Sequence, residues 1–134
     1  MTFTVFPTMN HFSRLLLLLI TATAISGCFG SRVLHEIDYQ RHWCKKHKGI
    51  LEYRLNDGTR VDCLTSEFAV EVEYAHKWAE AIGQSLFYAK MTDRNPGIVL
   101  IMSEKGDERF AKRLREVASQ EKIKVWTIRP HDLK

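Results

Sequence analysis

The chain has 134 residues, with 20 Lys and Arg against 16 Asp and Glu for a net charge of +4. That length holds one small domain, and 45% hydrophobic with 27% charged residues is the mix of a packed globular chain, which excludes a disordered, collagen-like or multi-span membrane protein. Three cysteines without a Cys-x-x-Cys pair exclude a disulfide-built mini-protein and a zinc ribbon, and the mild positive balance does not by itself mark a nucleic-acid binder.

The first element is the apolar run Leu15 to Ile20, extended weakly to Ile25, with Arg14 ahead of it and Ser26 and Gly27 behind. At about 11 residues it is far shorter than the ~20 a bilayer-spanning helix needs, so residues 1–27 read as a signal peptide. A buried helix of the domain is the alternative, but five consecutive leucines carry no amphipathic period. The stretch before Arg14 is long and poor in charge for a leader, and Met9 gives a more typical start. Ile25-Ser26-Gly27-Cys28 resembles a bacterial lipobox. The resemblance implies a lipid on Cys28, residues 28–31 as a short tether, and a membrane-anchored lipoprotein of the bacterial envelope facing the periplasm or the exterior. In that oxidising compartment Cys44 and Cys63 are free to form a disulfide, the alternative being two buried thiols. An unprocessed leader, with the domain working in the cytoplasm, would disfavour the bridge.

In residues 32–134 the elements follow one another clearly. Val33, Ile37, Tyr39, Trp43 and Cys44 recur at helical spacing over residues 32–47, with Gly49 as the stop. Ile50 to Leu55 and Arg60 to Leu64 read as a hairpin closed by Asn56-Asp57-Gly58-Thr59, and Phe68 to Glu73 as a third strand. The period turns helical from Ala75 to Met91. Thr92 to Gly97 reads as a loop, Ile98 to Met102 as a buried parallel strand, Asp107 to Glu121 as an amphipathic helix and Ile123 to Ile128 as the last strand. The order α-β-β-β-α-β-α-β predicts an α/β domain, a three-layer mixed sheet flanked by helices.

Glu71 and Glu73 are two residues apart on a strand, so their carboxylates leave one face while Val70 and Val72 leave the other. Asp62, flanked by Val61 and Cys63 in the preceding strand, adds a third acid. Like charges ~4 Å apart repel by about 4 kcal/mol at an effective dielectric of 20, and a hard divalent cation such as Mg²⁺ or Mn²⁺ removes that repulsion. On the next helix Lys77, Gln84 and Tyr88 fall in one stripe about 40° wide, with Trp78, Ala79, Ile82 and Leu86 opposite as the expected core side. The bland reading of Glu-x-Glu is a solvated outer face.

Asp62, then Glu71-Val72-Glu73, then Gln84-Ser85-Leu86-Phe87-Tyr88 together resemble the PD-(D/E)xK nuclease superfamily, the last segment being similar to the Gln-x-x-x-Tyr motif of its RecB-type and lambda-exonuclease-type members. The likeness spans residues 32–128. It implies a restriction endonuclease-like sheet with an α-β-β-β-α-β core, Mg²⁺ held by Asp62, Glu71 and the Val72 carbonyl, and hydrolysis of DNA to a 5′-phosphate and a 3′-hydroxyl. By the same analogy Glu36 on the first helix is the further acid that many members use. Glu73 stands where the family has lysine, as in a minority of restriction enzymes. In other members the lysine has moved to the next helix, which gives that role to Lys77. Val61 replaces the motif proline, often absent in the family. The expected function is therefore a membrane-tethered, metal-dependent deoxyribonuclease. The alternative is a catalytically degenerate lipoprotein that keeps the fold as a binding or structural module. Neither the oligomeric state nor a biological partner is legible. Arg109, Lys112, Arg113 and Arg115 read as a solvated face with some capacity for phosphate, and the spacing of His42, Cys44 and His47 does not converge on a metal.

Overall fold

The computed structural model describes residues 32–134; the segments expected from the sequence to be a leader (1–27), a lipidated Cys28 and a tether (28–31) lie outside the described residues. Helix α1 (Glu36–Lys46) starts four residues later than the periodicity suggests, and Val33 is largely exposed. Acidic Glu36 and Asp38 occupy its first turn and Lys45 and Lys46 its last, which suits the helix dipole. Asp38 also accepts a hydrogen bond from the His35 amide at 3.0 Å.

Strands β1 (Ile50–Arg54) and β2 (Arg60–Leu64) form the expected hairpin. Its turn needs Gly58, at φ +89°, and is tied by Asp57, whose carboxylate accepts from both the amide and the hydroxyl of Thr59. Those bonds hold the Asp57 carboxyl below its ordinary pKa. Strand β3 (Phe68–Tyr74) is followed by a 3-10 turn at Ala75–Lys77, then α2 (Trp78–Thr92), β4 (Asn95–Ile101), α3 (Glu108–Gln120), β5 (Lys124–Ile128) and a closing 3-10 turn at Pro130–Leu133.

The five strands lie in chain order, with β1-β2 and β2-β3 antiparallel and β3-β4 and β4-β5 parallel. One sequence expectation changes here. The expected loop up to Gly97 is already strand, because Asn95 and Pro96 run in register with Phe68 and Ala69. Proline at the second residue of a central strand is tolerated because the ladder has only begun there.

Alternate residues of the sheet feed two cores. Val70, Val72, Val99, Ile101 and Ile128 pack with Tyr39, Trp43 and Cys44 of α1. Ile98 and Leu100 pack on the other face with Ala81, Ala111, Leu114 and Ala118 of α2 and α3. The molecule is therefore a mixed five-strand α/β domain, with α1 on one face and α2 and α3 on the other. Cys44 of α1 and Cys63 of β2 are joined by a disulfide. A Cβ on Gly49 would meet the Cys63 sulfur at 2.3 Å, so the residue that ends α1 also makes room for the bridge. Among the described residues no helix is long and apolar enough to cross a membrane.

Candidate functional site: an acid cluster where two strands part

Strands β2 and β3 are paired only at Cys63↔Val70 and Leu64↔Ala69. At the next position the Asp62 side chain takes over from the backbone: its Oδ2 accepts the Val72 amide hydrogen at 2.8 Å. Val61 and Cys63, on either side of Asp62, pack into different hydrophobic clusters. Opposite it in β1, Glu52 has left-handed φ of 54° and is ion-paired with Arg60. Backbone strain of this kind at a non-glycine residue is concentrated at functional sites. An amide and carbonyl of one strand residue leave the same edge, so the Val72 carbonyl faces this opening rather than β4.

Glu71 and Glu73 leave the face of β3 that α2 covers, and each is only 5% exposed. Glu73 is fully engaged: Oε1 accepts the Tyr74 amide at 2.8 Å and Oε2 the Lys77 ammonium at 3.3 Å. Glu71 is not, and its Oε2 is buried without a hydrogen-bond partner. Burial, reinforced by Asp62, Glu73 and Glu36, pushes the Glu71 carboxyl up to about 9. Burial likewise pushes Asp62 up to about 7, against the pull of its bond from Val72. Glu36 reaches the same group from α1: its side chain is hydrogen-bonded to Glu73, and burial followed by Glu73 pushes it up to about 7. The Glu73 carboxylate raises the Lys77 ammonium pKa. Tyr88 is raised by burial, then by Glu71 and Asp62, while the Gln84 side chain pulls the other way.

The structure thus gathers Glu36, Asp62, Glu71, Glu73 and Lys77 with Tyr88 and Gln84, from five separate elements, at the place where the β2-β3 ladder opens. The Gln84 Oε1 is buried there without a partner. The expected division of α2 needs correcting: Ala79 is exposed, and Ala81, Ser85, Tyr88 and Ala89 form the buried side. Of the stripe read as polar, Tyr88 is buried beside Glu71 and Asp62, Gln84 is half-buried and Lys77 is exposed, whereas Trp78, Ile82 and Leu86 are partly buried towards the α3 side.

Two residues escaped the sequence reading. Gln40, 4% exposed, donates from Nε2 to Glu36 Oε1 at 3.1 Å, and its own Oε1 is buried without a partner; its place one helical turn after Glu36 was the available signal. Glu52 left no signal, since a charge on an edge strand reads as solvated.

Among the described residues no three Asp, Glu, His or Cys side chains stand as a ready-made set of metal ligands. Asp62 accepts an amide hydrogen, Glu73 accepts from an amide and from Lys77, and burial favours the protonated form of Glu71. Of the other residues singled out, Cys44 is consumed by the disulfide, the His47 ring is 2.8 Å from the Trp43 carbonyl oxygen through Nδ1, and Arg109, Lys112, Arg113 and Arg115 are exposed, with Arg109 and Arg113 over the Phe110 ring. No protein-family model, curated protein or solved structure matches the chain.

Proposed function

We propose that the chain is a Mg²⁺-dependent phosphodiesterase that cleaves DNA, of the PD-(D/E)xK type, anchored to a bacterial envelope through a lipid on Cys28. One observation carries this reading: Glu71 is buried with an oxygen that nothing satisfies, beside three other carboxylates. Such a group is expensive to bury for structure alone. The order of the first six elements and the placement of Asp62 and Glu71 on the second and third strands support the same reading.

The donor set fits a hard divalent cation. Asp62, Glu71 and the Val72 carbonyl are all oxygen ligands on one opening, with Asp62 turning from the Val72 amide to take part. When bound, the cation supplies polarisation of a phosphate oxygen and a water of lowered pKa. Glu73 orients the attacking water, Lys77 offsets negative charge building on the phosphate, Gln84 hydrogen-bonds substrate or water through its unpartnered oxygen or its amide, and Tyr88 braces Gln84. Glu36 shares the Glu73 hydrogen bond and sets its direction. The phosphorus–O3′ bond breaks, leaving a 5′-phosphate and a 3′-hydroxyl.

Residues 29–134 should bind Mn²⁺ or Mg²⁺ in isothermal titration and nick supercoiled DNA, and Asp62→Asn should remove both activities while leaving the circular dichroism spectrum unchanged. Absence of ion binding in the parent protein overturns the reading. A second reading, a nuclease-fold binding module, draws on Glu73 being already satisfied by an amide and Lys77. It predicts no ion binding and no cleavage at any pH. For the anchor, Cys28→Ser should move the protein from the membrane to the soluble fraction.

A further inference from the structure

Away from the acids, the flank of α1 and edge strand β5 leave a trough on the opposite face of the sheet. A cavity of about 350 Å³ is lined by His42, Trp43, Lys46, His47, Trp126 and Asp132, among others. A second, of about 190 Å³, shares Trp43, His47 and Trp126 and continues to Phe68. These four rings form one aromatic wall: His47 stacks on Trp43 at 3.7 Å and 16°, Trp126 meets Trp43 at 5.1 Å, and Phe68 stands edge-on to Trp126 at 5.2 Å. Trp126 can lie there because Gly97 beneath it has no Cβ, which would come within 2.9 Å of the ring. The indole remains partly exposed and His47 is exposed.

The two cavities differ in their polar groups. Lys46, His42 and His47 line the larger against one carboxylate, Asp132, which accepts the Arg129 amide at 2.7 Å, while Glu67 lines only the smaller, which Lys46 does not reach. A flat aromatic ligand stacks on such a wall, and an anionic group suits the Lys46 ammonium. Both features together describe a nucleotide unit better than a sugar, which brings no charge, or an inorganic anion, which leaves the rings unused. We infer that the Trp43–His47–Trp126 trough is a nucleotide-binding site, stacking one base on the aromatic wall with its phosphate at Lys46. The inference does not depend on the acid cluster, and its test needs no divalent cation.

The indole N–H resonances of the intact chain in detergent serve as the readout, in metal-free buffer. The protein has three tryptophans, and Trp78 on α2 belongs to the other core, so it is an internal control. Titration with deoxyadenosine 5′-monophosphate should shift Trp43 and Trp126 but not Trp78, saturating near ~1 mM as befits a shallow site. Ribose 5-phosphate and adenosine alone should bind at least several-fold more weakly. A short oligodeoxynucleotide that shifts the same two indoles with higher affinity assigns the site to a strand; equal affinity assigns it to free nucleotides. Lys46→Ala, at an exposed position, should weaken the phosphate-bearing ligand several-fold and leave adenosine unaffected. Equal shifts of all three indoles, equal binding of ribose 5-phosphate and the nucleotide, or a Lys46→Ala titration identical to the parent would overturn the assignment.

Discussion

Strand β3 presents two chemistries from one backbone. Val70 and Val72 point to α1 and are fully buried among hydrocarbon and the Cys44–Cys63 bridge; Glu71 and Glu73, their alternates, point to α2 and are nearly as buried. Packing accounts for the first face. It does not account for the second, where an aliphatic side chain would fill the same space without desolvating a carboxylate. Comparable burial with opposite polarity separates residues that hold the fold from residues the fold has to tolerate, and that difference is the physical ground for seeking a ligand at the second face.

The sharpest way to break the comparison is on the first face. The bridge closes a loop of sequence separation 19, so replacing both cysteines with serine should lower stability by about 3 kcal/mol, read as a drop in the urea midpoint. Gly49→Ala should approach that loss, because its new Cβ collides with the Cys63 sulfur. On the second face the sign reverses. Glu71→Leu should stabilise the metal-free protein at neutral pH by on the order of 2 kcal/mol while removing divalent-ion binding. A destabilised Glu71→Leu protein would place Glu71 among the residues that hold the fold.

The pH dependence follows from the same acids. Glu71, Asp62 and Glu36 titrate at about 9, 7 and 7 in the folded chain against ordinary values of 4.5, 3.8 and 4.5. Between those limits the folded state holds more protons than the unfolded one. Their contribution is therefore complete below about pH 4 and is lost as the pH rises through about 7 and then 9. The melting temperature of metal-free protein should fall from mildly acidic to mildly alkaline buffer, and Glu71→Gln should flatten that slope. Mn²⁺, competing with the protons, should raise the melting temperature at the alkaline end and have little effect at the acidic end.

Local signals reveal the first face and only part of the second. The Asp57-Gly58 turn, the Val alternation in β3 and the helical spacing of Tyr39, Trp43 and Cys44 are short-range, and each stands in the structure where periodicity and turn chemistry put it. Pro96 misled, because its missing donor reads as a loop wherever its partner strand is unknown. At the site, the acids were legible as types and spacings. Three features depend on how neighbouring elements pack and leave no periodic trace: the Asp62 bond to the Val72 amide, the left-handed Glu52 and the burial of Tyr88 beside Glu71 and Asp62. Gly49 shows the same limit, since a helix stop is local and a clearance for a disulfide is not.

The smallest stability effect should come from Lys77. Its ammonium is 3.3 Å from Glu73, but its side chain is 46% exposed while that of Glu73 is 6% exposed. Water screens such a half-exposed pair, and Glu73 keeps the Tyr74 amide when the lysine is gone, so Lys77→Met should lower stability by less than about 1 kcal/mol. Under the proposed function the same substitution should cut DNA cleavage strongly, because Lys77 supplies the only positive side chain hydrogen-bonded to Glu73 among the described residues. Chemical unfolding and plasmid nicking measured on the one variant separate these outcomes. A small stability change with a large activity loss assigns Lys77 to the chemistry of the second face. Equal, modest losses in both would instead assign it to holding Glu73 in a structural pair, and would favour the binding-module reading of the acid cluster.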